Sequence, residues 1–148
     1  MPGLKVNGQK TIGENVSDNG GLKIAYRAYK NRMVSEPLGD VDGFTPDQRF
    51  YLAYARVWAC NSTPEYTAML VNSDVHSPAR LRVMAALPMI DTWYEAFGIL
   101  PTDKMFIPKE KRALVWKAPF VTDLPFITPF VTNPCIISHL CRGFCNYL

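Results

Sequence analysis

The chain has 148 residues and a formal net charge of +3, with 48% hydrophobic and 20% charged residues. This composition is typical of one globular domain and excludes a disordered chain. The net charge is small and the basic residues are scattered, so nucleic acid is not an expected partner, and no apolar run is long enough to span a bilayer.

The segment up to Trp116 is predicted to form helices joined by short loops. A first helix is expected from about Glu14 to Arg32, because apolar residues recur there at spacings of three and four. Those residues are Leu22, Ala25, Tyr26, Tyr29 and Met33. The adjacent Gly20 and Gly21 would each weaken a helix by about 1 kcal/mol. We therefore expect another element to pack closely against this glycine pair.

Two further helix starts are marked by capping signals. Thr45 can cap a helix, Pro46 suits its first position, and Gln48 completes a capping box. The helix that follows carries four aromatic residues on one side, namely Phe50, Tyr51, Tyr54 and Trp58. Thr63 and Pro64 repeat the same signal and predict a short third helix.

The remaining segments before Trp116 are also predicted to be helices and loops. The stretch "DVHSPARLRV" is predicted to be a loop that enters another ordered segment. Met89 to Phe97 is expected to form a last short helix, with Ile90, Trp93 and Tyr94 on its inner face together with Phe97. No strong alternating pattern indicates a strand, so the fold class is mainly α.

The sequence changes character after Trp116. Prolines occur every few residues between Pro119 and Pro134, which excludes a long helix there and predicts an irregular tail up to Leu148. Three cysteines and a histidine lie in it, at Cys135, Cys141, Cys145 and His139. Their spacing matches no familiar zinc pattern, so a metal site is not expected in the tail.

Two groups of polar residues could carry chemistry. Glu14 and Asp18 are four residues apart and would project from one helix face. They could be a solvated acidic edge near a helix N-terminus, or part of a site. Asp74 and His76, with Arg82 shortly after, could orient an imidazole and offer a guanidinium to an oxyanion. They could equally form a structural ion pair.

Three stretches of the chain resemble, in order and spacing, the neprilysin-like zinc metallopeptidases. They are "GENVSDNGGLKIAYRAY", "DVHSPARLRV" and the segment from "YEAFG" to "VW". The family includes neprilysin, endothelin-converting enzymes and bacterial oligopeptidases, and its catalytic region is of the thermolysin-like (gluzincin) type. The resemblance implies that residues 1–116 are the C-terminal helical part of such a domain. Residues 117–148 would be a non-family tail, either translated past a lost stop codon, which we favour, or a lineage-specific extension.

The resemblance also implies roles for individual residues. Glu14 matches the glutamate that ligates zinc, and Asp18 matches the aspartate that braces a zinc-bound histidine. His76, oriented by Asp74, is expected to hydrogen-bond the oxyanion that forms during peptide hydrolysis. Arg82 matches the arginine that grips a substrate carbonyl. If so, Glu14 and Asp18 should meet His76 at one site.

The family's H-E-x-x-H motif is not present in this chain, whose only histidines are His76 and His139. That motif supplies two zinc ligands and the general base. We therefore expect a zinc metalloendopeptidase fragment that acts on peptide substrates together with the missing N-terminal part of the catalytic domain, and is inactive alone. That missing part should cover the apolar face carrying Tyr26 and Tyr29. The alternative is a non-catalytic helical interaction module. Family members are often extracellular, periplasmic or membrane-anchored, but the sequence predicts no compartment.

Overall fold

The computed structural model describes residues 4–115, which form five α-helices. They are α1 (Gly8–Ser35), α2 (Pro46–Val57), α3 (Pro64–Ser73), α4 (Ala79–Ala86) and α5 (Asp91–Phe97). Short 3₁₀ turns lie at Leu87–Met89 and Lys109–Lys111, and the described residues contain no strand beyond a single bridge between Val41 and Phe44. The mainly α fold is therefore confirmed. The predicted irregular tail, with its cysteines, lies outside the described residues.

The first helix is longer at both ends than predicted. It begins at Gly8 rather than Glu14, because the side chain of Asn7 accepts hydrogen bonds from the backbone of Gln9 and Lys10. Glycine residues in the first turns have low helix propensity, so the sequence pattern did not indicate this start. As a result, Glu14 and Asp18 lie well inside α1 rather than at its N-terminus, so the helix dipole does not account for them.

The predicted starts of α2 and α3 are both correct. Thr45 accepts a hydrogen bond from the backbone of Gln48, whose side chain bonds back to Thr45, so the capping box is complete. Thr63 caps α3 in the same manner through the backbone of Tyr66. The last helix begins at Asp91, two residues later than predicted, after the 3₁₀ turn.

Aromatic residues make the core between α1, α2 and α5. Tyr26 of α1 stacks on Tyr51 of α2 with ring centroids 5.4 Å apart, and Tyr51 is 1% exposed. The α5 side of the core is formed by Ile90, Trp93 and Tyr94, all buried. α4 runs beside α1, and this packing brings the polar residues after α3 against the first half of α1.

Two expectations about α1 differ from the structure in whole or in part. A β-carbon at Gly21 would meet no described atom within 4 Å, so the expected close packing is wrong for Gly21, whereas for Gly20, which is buried, it stays a prediction. The face carrying Tyr26 and Tyr29 is not left uncovered, because the aromatic rings of α2 pack on it, with Phe50 5.1 Å from Tyr29. Within residues 4–115, no helix is both long and apolar enough to cross a membrane.

Candidate active site

Two carboxylates of α1 face the loop between α3 and α4. Glu14 lies closer to solvent, with 40% of its side chain exposed, whereas Asp18 is 12% exposed. The two are one helical turn apart, so they project from the same face. The loop of residues 74–78 and the first turn of α4 lie opposite this face and supply its partners.

His76 is held between carboxylates on both ring nitrogens. Its Nε2 lies 3.2 Å from Oε2 of Glu14, and its Nδ1 lies 2.8 Å from Oδ1 of Asp74. Asp74 also accepts a hydrogen bond of 3.0 Å from the backbone N–H of His76. This backbone bond, and then the bond to the ring, hold the pKa of Asp74 below its usual value. The loop thus fixes the orientation of the imidazole and presents Nε2 to Glu14.

Arg82 pairs with Asp18 in a two-pronged ion pair. Its Nε donates to Oδ2 of Asp18 at 2.6 Å and its Nη2 donates to Oδ1 at 2.5 Å. The hydrogen bonds to Asp18 raise the pKa of Arg82 above its ordinary value. The guanidinium carbon lies 3.9 Å from the centre of a Trp58 ring, so one face of the group is also covered. Only 16% of the Arg82 side chain is exposed.

A hydrogen-bond chain that the sequence analysis did not identify joins α1 to the same loop. Ser77 donates to Oδ1 of Asn15 at 2.8 Å, and Nδ2 of Asn15 donates to the hydroxyl of Thr11 at 3.2 Å. Ser77 and Thr11 are 6% and 3% exposed. Each residue directly follows a predicted site residue in the sequence, Asn15 after Glu14 and Ser77 after His76. Nothing in the spacing indicated that they would meet.

All five residues predicted for the site therefore occupy one region. The structure brings Glu14 to His76 and Asp18 to Arg82, while Asp74 supports His76 from within its own loop. The Asp18–Arg82 pair was not predicted. A carboxylate, an imidazole and a guanidinium thus lie together where α1 meets the loop and α4. Such groups can bind a polarised carbonyl group.

These residues fit a metal only in part. Among residues 4–115, no group of three histidine, cysteine, aspartate or glutamate side chains is placed to hold a metal ion. Glu14 has the exposure that a ligand needs, whereas Asp18 is already engaged with Arg82. The described part of the chain thus fits one zinc ligand, and a catalytic zinc site usually has three from protein.

A separate cavity of about 250 Å³ lies on the other side of α1, away from these residues. Asp91 lies on its wall and is bound by Lys109 at 3.0 Å and by Arg112 at 2.6 Å. The Arg112 guanidinium also covers the ring of Tyr94, 3.5 Å from its centre. These contacts hold the segment after α5 against the core, and they contribute nothing to the face that carries Glu14.

A helix bearing two carboxylates, set against a histidine and an arginine, has the side chains of a hydrolytic site. Residues 1–113 match the sequence model of Peptidase family M13, and the chain belongs to that family. The resemblance to neprilysin-like metallopeptidases is thereby confirmed.

Individual relatives are long proteins. Human "Endothelin-converting enzyme 1" is 41% identical over 117 residues, which cover 77% of this chain and 15% of that protein. "Neprilysin-1" of Caenorhabditis elegans is 37% identical over 118 residues, or 76% of this chain and 15% of the relative. The solved structure of the zinc metalloprotease Zmp1 of Mycobacterium tuberculosis superimposes with a TM-score of 0.74 at 33% identity. That match covers 78% of this chain and 18% of Zmp1.

Proposed function

We propose that the chain forms one wall of the active site of a zinc metalloendopeptidase that hydrolyses peptide bonds. The observation that carries the proposal is the contact of 3.2 Å between Glu14 of α1 and His76 of the loop before α4. Both residues match motifs of the family, and they are distant in sequence. Their meeting at one half-exposed position is what a shared site requires, and a solvated acidic edge would not need it.

Glu14 is the zinc ligand in this proposal. Its carboxylate lies 40% exposed on a rigid helix, so it can reach a metal ion without moving the backbone. Zinc, when bound, would act as a Lewis acid toward the peptide carbonyl and would activate a water molecule. Asp18 would brace a histidine ligand through whichever of its oxygen lone pairs Arg82 leaves free.

The charge that develops on the substrate carbonyl oxygen is stabilised by His76 and Arg82. Asp74 binds Nδ1 of His76 at 2.8 Å, and in the imidazolium form, where both ring nitrogens are donors, Nε2 can donate to the substrate oxygen. Asp18 occupies Nε and Nη2 of Arg82, which leaves Nη1 for a substrate carbonyl. Both side chains lie in the site before substrate binds, and Nε2 becomes available to the substrate oxygen once Glu14 turns to the metal.

The proposal assigns the remaining chemistry to a second stretch of polypeptide. The sequence contains no H-E-x-x-H motif, so two zinc ligands and the general base must come from a segment that carries one. Residues 1–116 would be the family part of this chain and residues 117–148 a tail outside it. The chain alone would then bind a substrate carbonyl but would not cleave peptides.

A non-catalytic helical module is the competing function. It is favoured by the lack of any cluster of three potential ligands among residues 4–115. In that case Glu14 and His76 would be an ordinary half-exposed ion pair. The two functions differ in what happens when the segment with H-E-x-x-H is supplied.

The test joins the chain to the H-E-x-x-H segment of an M13 relative and measures zinc content beside hydrolysis of a fluorogenic peptide. Glu14→Gln should lose both zinc and turnover. His76→Ala should keep zinc and lower kcat by roughly 10²-fold or more, as for loss of an oxyanion donor. Glu36→Gln, an exposed glutamate just after the same helix, is the control and should change neither. Full zinc and full turnover in Glu14→Gln would overturn the ligand assignment, and no turnover in the joined protein would favour the module.

A further inference from the structure

The contact between Glu14 and His76 is too exposed to hold the loop of residues 74–78 in place. Their side chains are 40% and 42% exposed, and ion pairs at such positions contribute little to stability. The proposed function also requires the pair to separate, since Glu14 must turn to a metal and His76 to a substrate oxygen. Another contact must therefore keep His76 beside Glu14 when the two no longer touch.

A hydrogen bond with a buried donor lies directly beside this exposed pair. Ser77 follows His76 and donates to Oδ1 of Asn15, which follows Glu14, at 2.8 Å. Asn15 is in turn held by its Nδ2, which donates to the hydroxyl of Thr11 at 3.2 Å. Because Ser77 is 6% exposed, breaking the bond would leave a buried hydroxyl without its acceptor, and this opposes departure of the loop.

The other contacts between α1 and this region do not fix the loop itself. Lys10 donates to the backbone oxygen of Asn72 before the loop, and Asp18 binds Arg82 on α4 after it. Neither contact is made by a residue of the loop itself. Among residues 4–115, the hydrogen bond from Ser77 to Asn15 is the one that ties a residue of the loop to α1 through a buried side chain, that of Ser77.

We infer that Asn15 and Ser77 are positioning residues, which hold His76 at the metal edge of α1 while the Glu14–His76 pair opens for zinc and substrate. This inference rests on the proposed function for its purpose. Its geometric content, that the amide–hydroxyl bond sets the position of His76 relative to Glu14, stands apart from catalysis and can be tested on the chain itself.

The first experiment uses the imidazole NMR signals of His76, assigned by their loss in His76→Gln. In the unmodified chain, Glu14→Gln should shift these signals because the groups are in contact. In Ser77→Ala and in Asn15→Ala, the same Glu14→Gln change should shift them by less than half as much. Ser77→Thr keeps the hydroxyl and should restore the response. Ser17→Ala is the matched control, since it removes an exposed hydroxyl from α1 that bonds only to the oxygen of Gly13.

The outcomes separate positioning from folding. An undiminished response in both alanine variants, each with an unchanged helical circular dichroism spectrum, would overturn the inference. Loss of that helical spectrum in both variants would show that the bond is needed for folding, and this would also overturn the inference.

The second experiment uses the joined protein that carries H-E-x-x-H. Ser77→Ala should lower kcat on the order of 10-fold or more, the scale expected for a misplaced catalytic group, with zinc content and KM nearly unchanged. A fall in zinc content or a rise in KM at unchanged kcat would contradict the assigned role. If the joined protein is inactive in every form, the proposed function fails, while the NMR response still decides the geometry.

Discussion

The ion pair between Asp18 and Arg82 supports both the fold and the proposed site, and its removal gives a sharp test of the structure. Asp18→Asn keeps the shape of the side chain but removes its charge and one strong acceptor. The variant leaves the Arg82 guanidinium, only 16% exposed, without its counter-charge. Trp58 still covers one face of that group and cannot replace the two hydrogen bonds.

The expected loss follows from burial and geometry. Removing one partner of a buried ion pair costs about 3–5 kcal/mol. With side chains 16% and 12% exposed, some water reaches this pair, so we expect a loss near the lower end, about 3 kcal/mol. With a typical urea dependence of about 1–3 kcal/mol per molar, the unfolding midpoint should fall by about 1 M or more. Unfolding in urea followed by far-ultraviolet circular dichroism measures this directly.

The control for this prediction is the ion pair between Arg32 and Glu36 at the end of the same helix. Its side chains are 46% and 62% exposed, so Glu36→Gln should cost less than about 1 kcal/mol. A double variant, Asp18→Leu with Arg82→Met, should lose less than the sum of the two single changes, because it leaves no unpaired charge. Equal midpoints for Asp18→Asn and Glu36→Gln would refute the burial argument.

Asp91 should contribute stability that disappears in acid, because hydrogen bonds from Lys109 and then Arg112 lower its pKa. The contribution is complete above the unfolded pKa of about 3.9 and is lost as pH falls through the lower folded value. Asp91→Asn should therefore destabilise the chain more at about pH 6 than at about pH 2, as unfolding in urea would show. The chain should not cleave a fluorogenic peptide with added zinc, and chelator-sensitive cleavage would show that the missing ligands and base come from a source other than an H-E-x-x-H segment.

Local features of the fold were predictable from the sequence because each depends on neighbouring residues. The caps at Thr45 and Thr63 act within one turn, so composition and spacing identify them. The start of α1 was predicted six residues too late. Gly8 and Gly13 have low helix propensity, so propensity alone does not predict a helix there, although the side chain of Asn7 caps it in the structure.

Contacts between distant residues could be predicted only through the family resemblance, and then only in part. The motif placed Glu14 and His76 in one site, and the structure brings them together. Spacing gave no sign that Asp18 would bind Arg82 or that Asn15 would bind Ser77, because each contact depends on how α4 and its preceding loop pack on α1. Such pairings are set by tertiary packing, which short-range patterns do not record.

The distribution of burial along α1 separates its structural contacts from those that we propose to take part in catalysis. Asn15 and Asp18 bind partners that are buried or nearly so, and these bonds hold the loop and α4. Glu14 and His76 meet at a half-exposed position where their contact is weak enough to exchange for other partners. Substitutions at Glu14 or His76 should therefore change ligand binding and leave stability nearly intact, whereas substitutions at Asp18 should change both. Because a helix turns by about 100° per residue, the neighbouring side chains of Glu14 and Asn15 point in different directions. One can therefore bind a ligand while the other holds the loop, and each has its own partner.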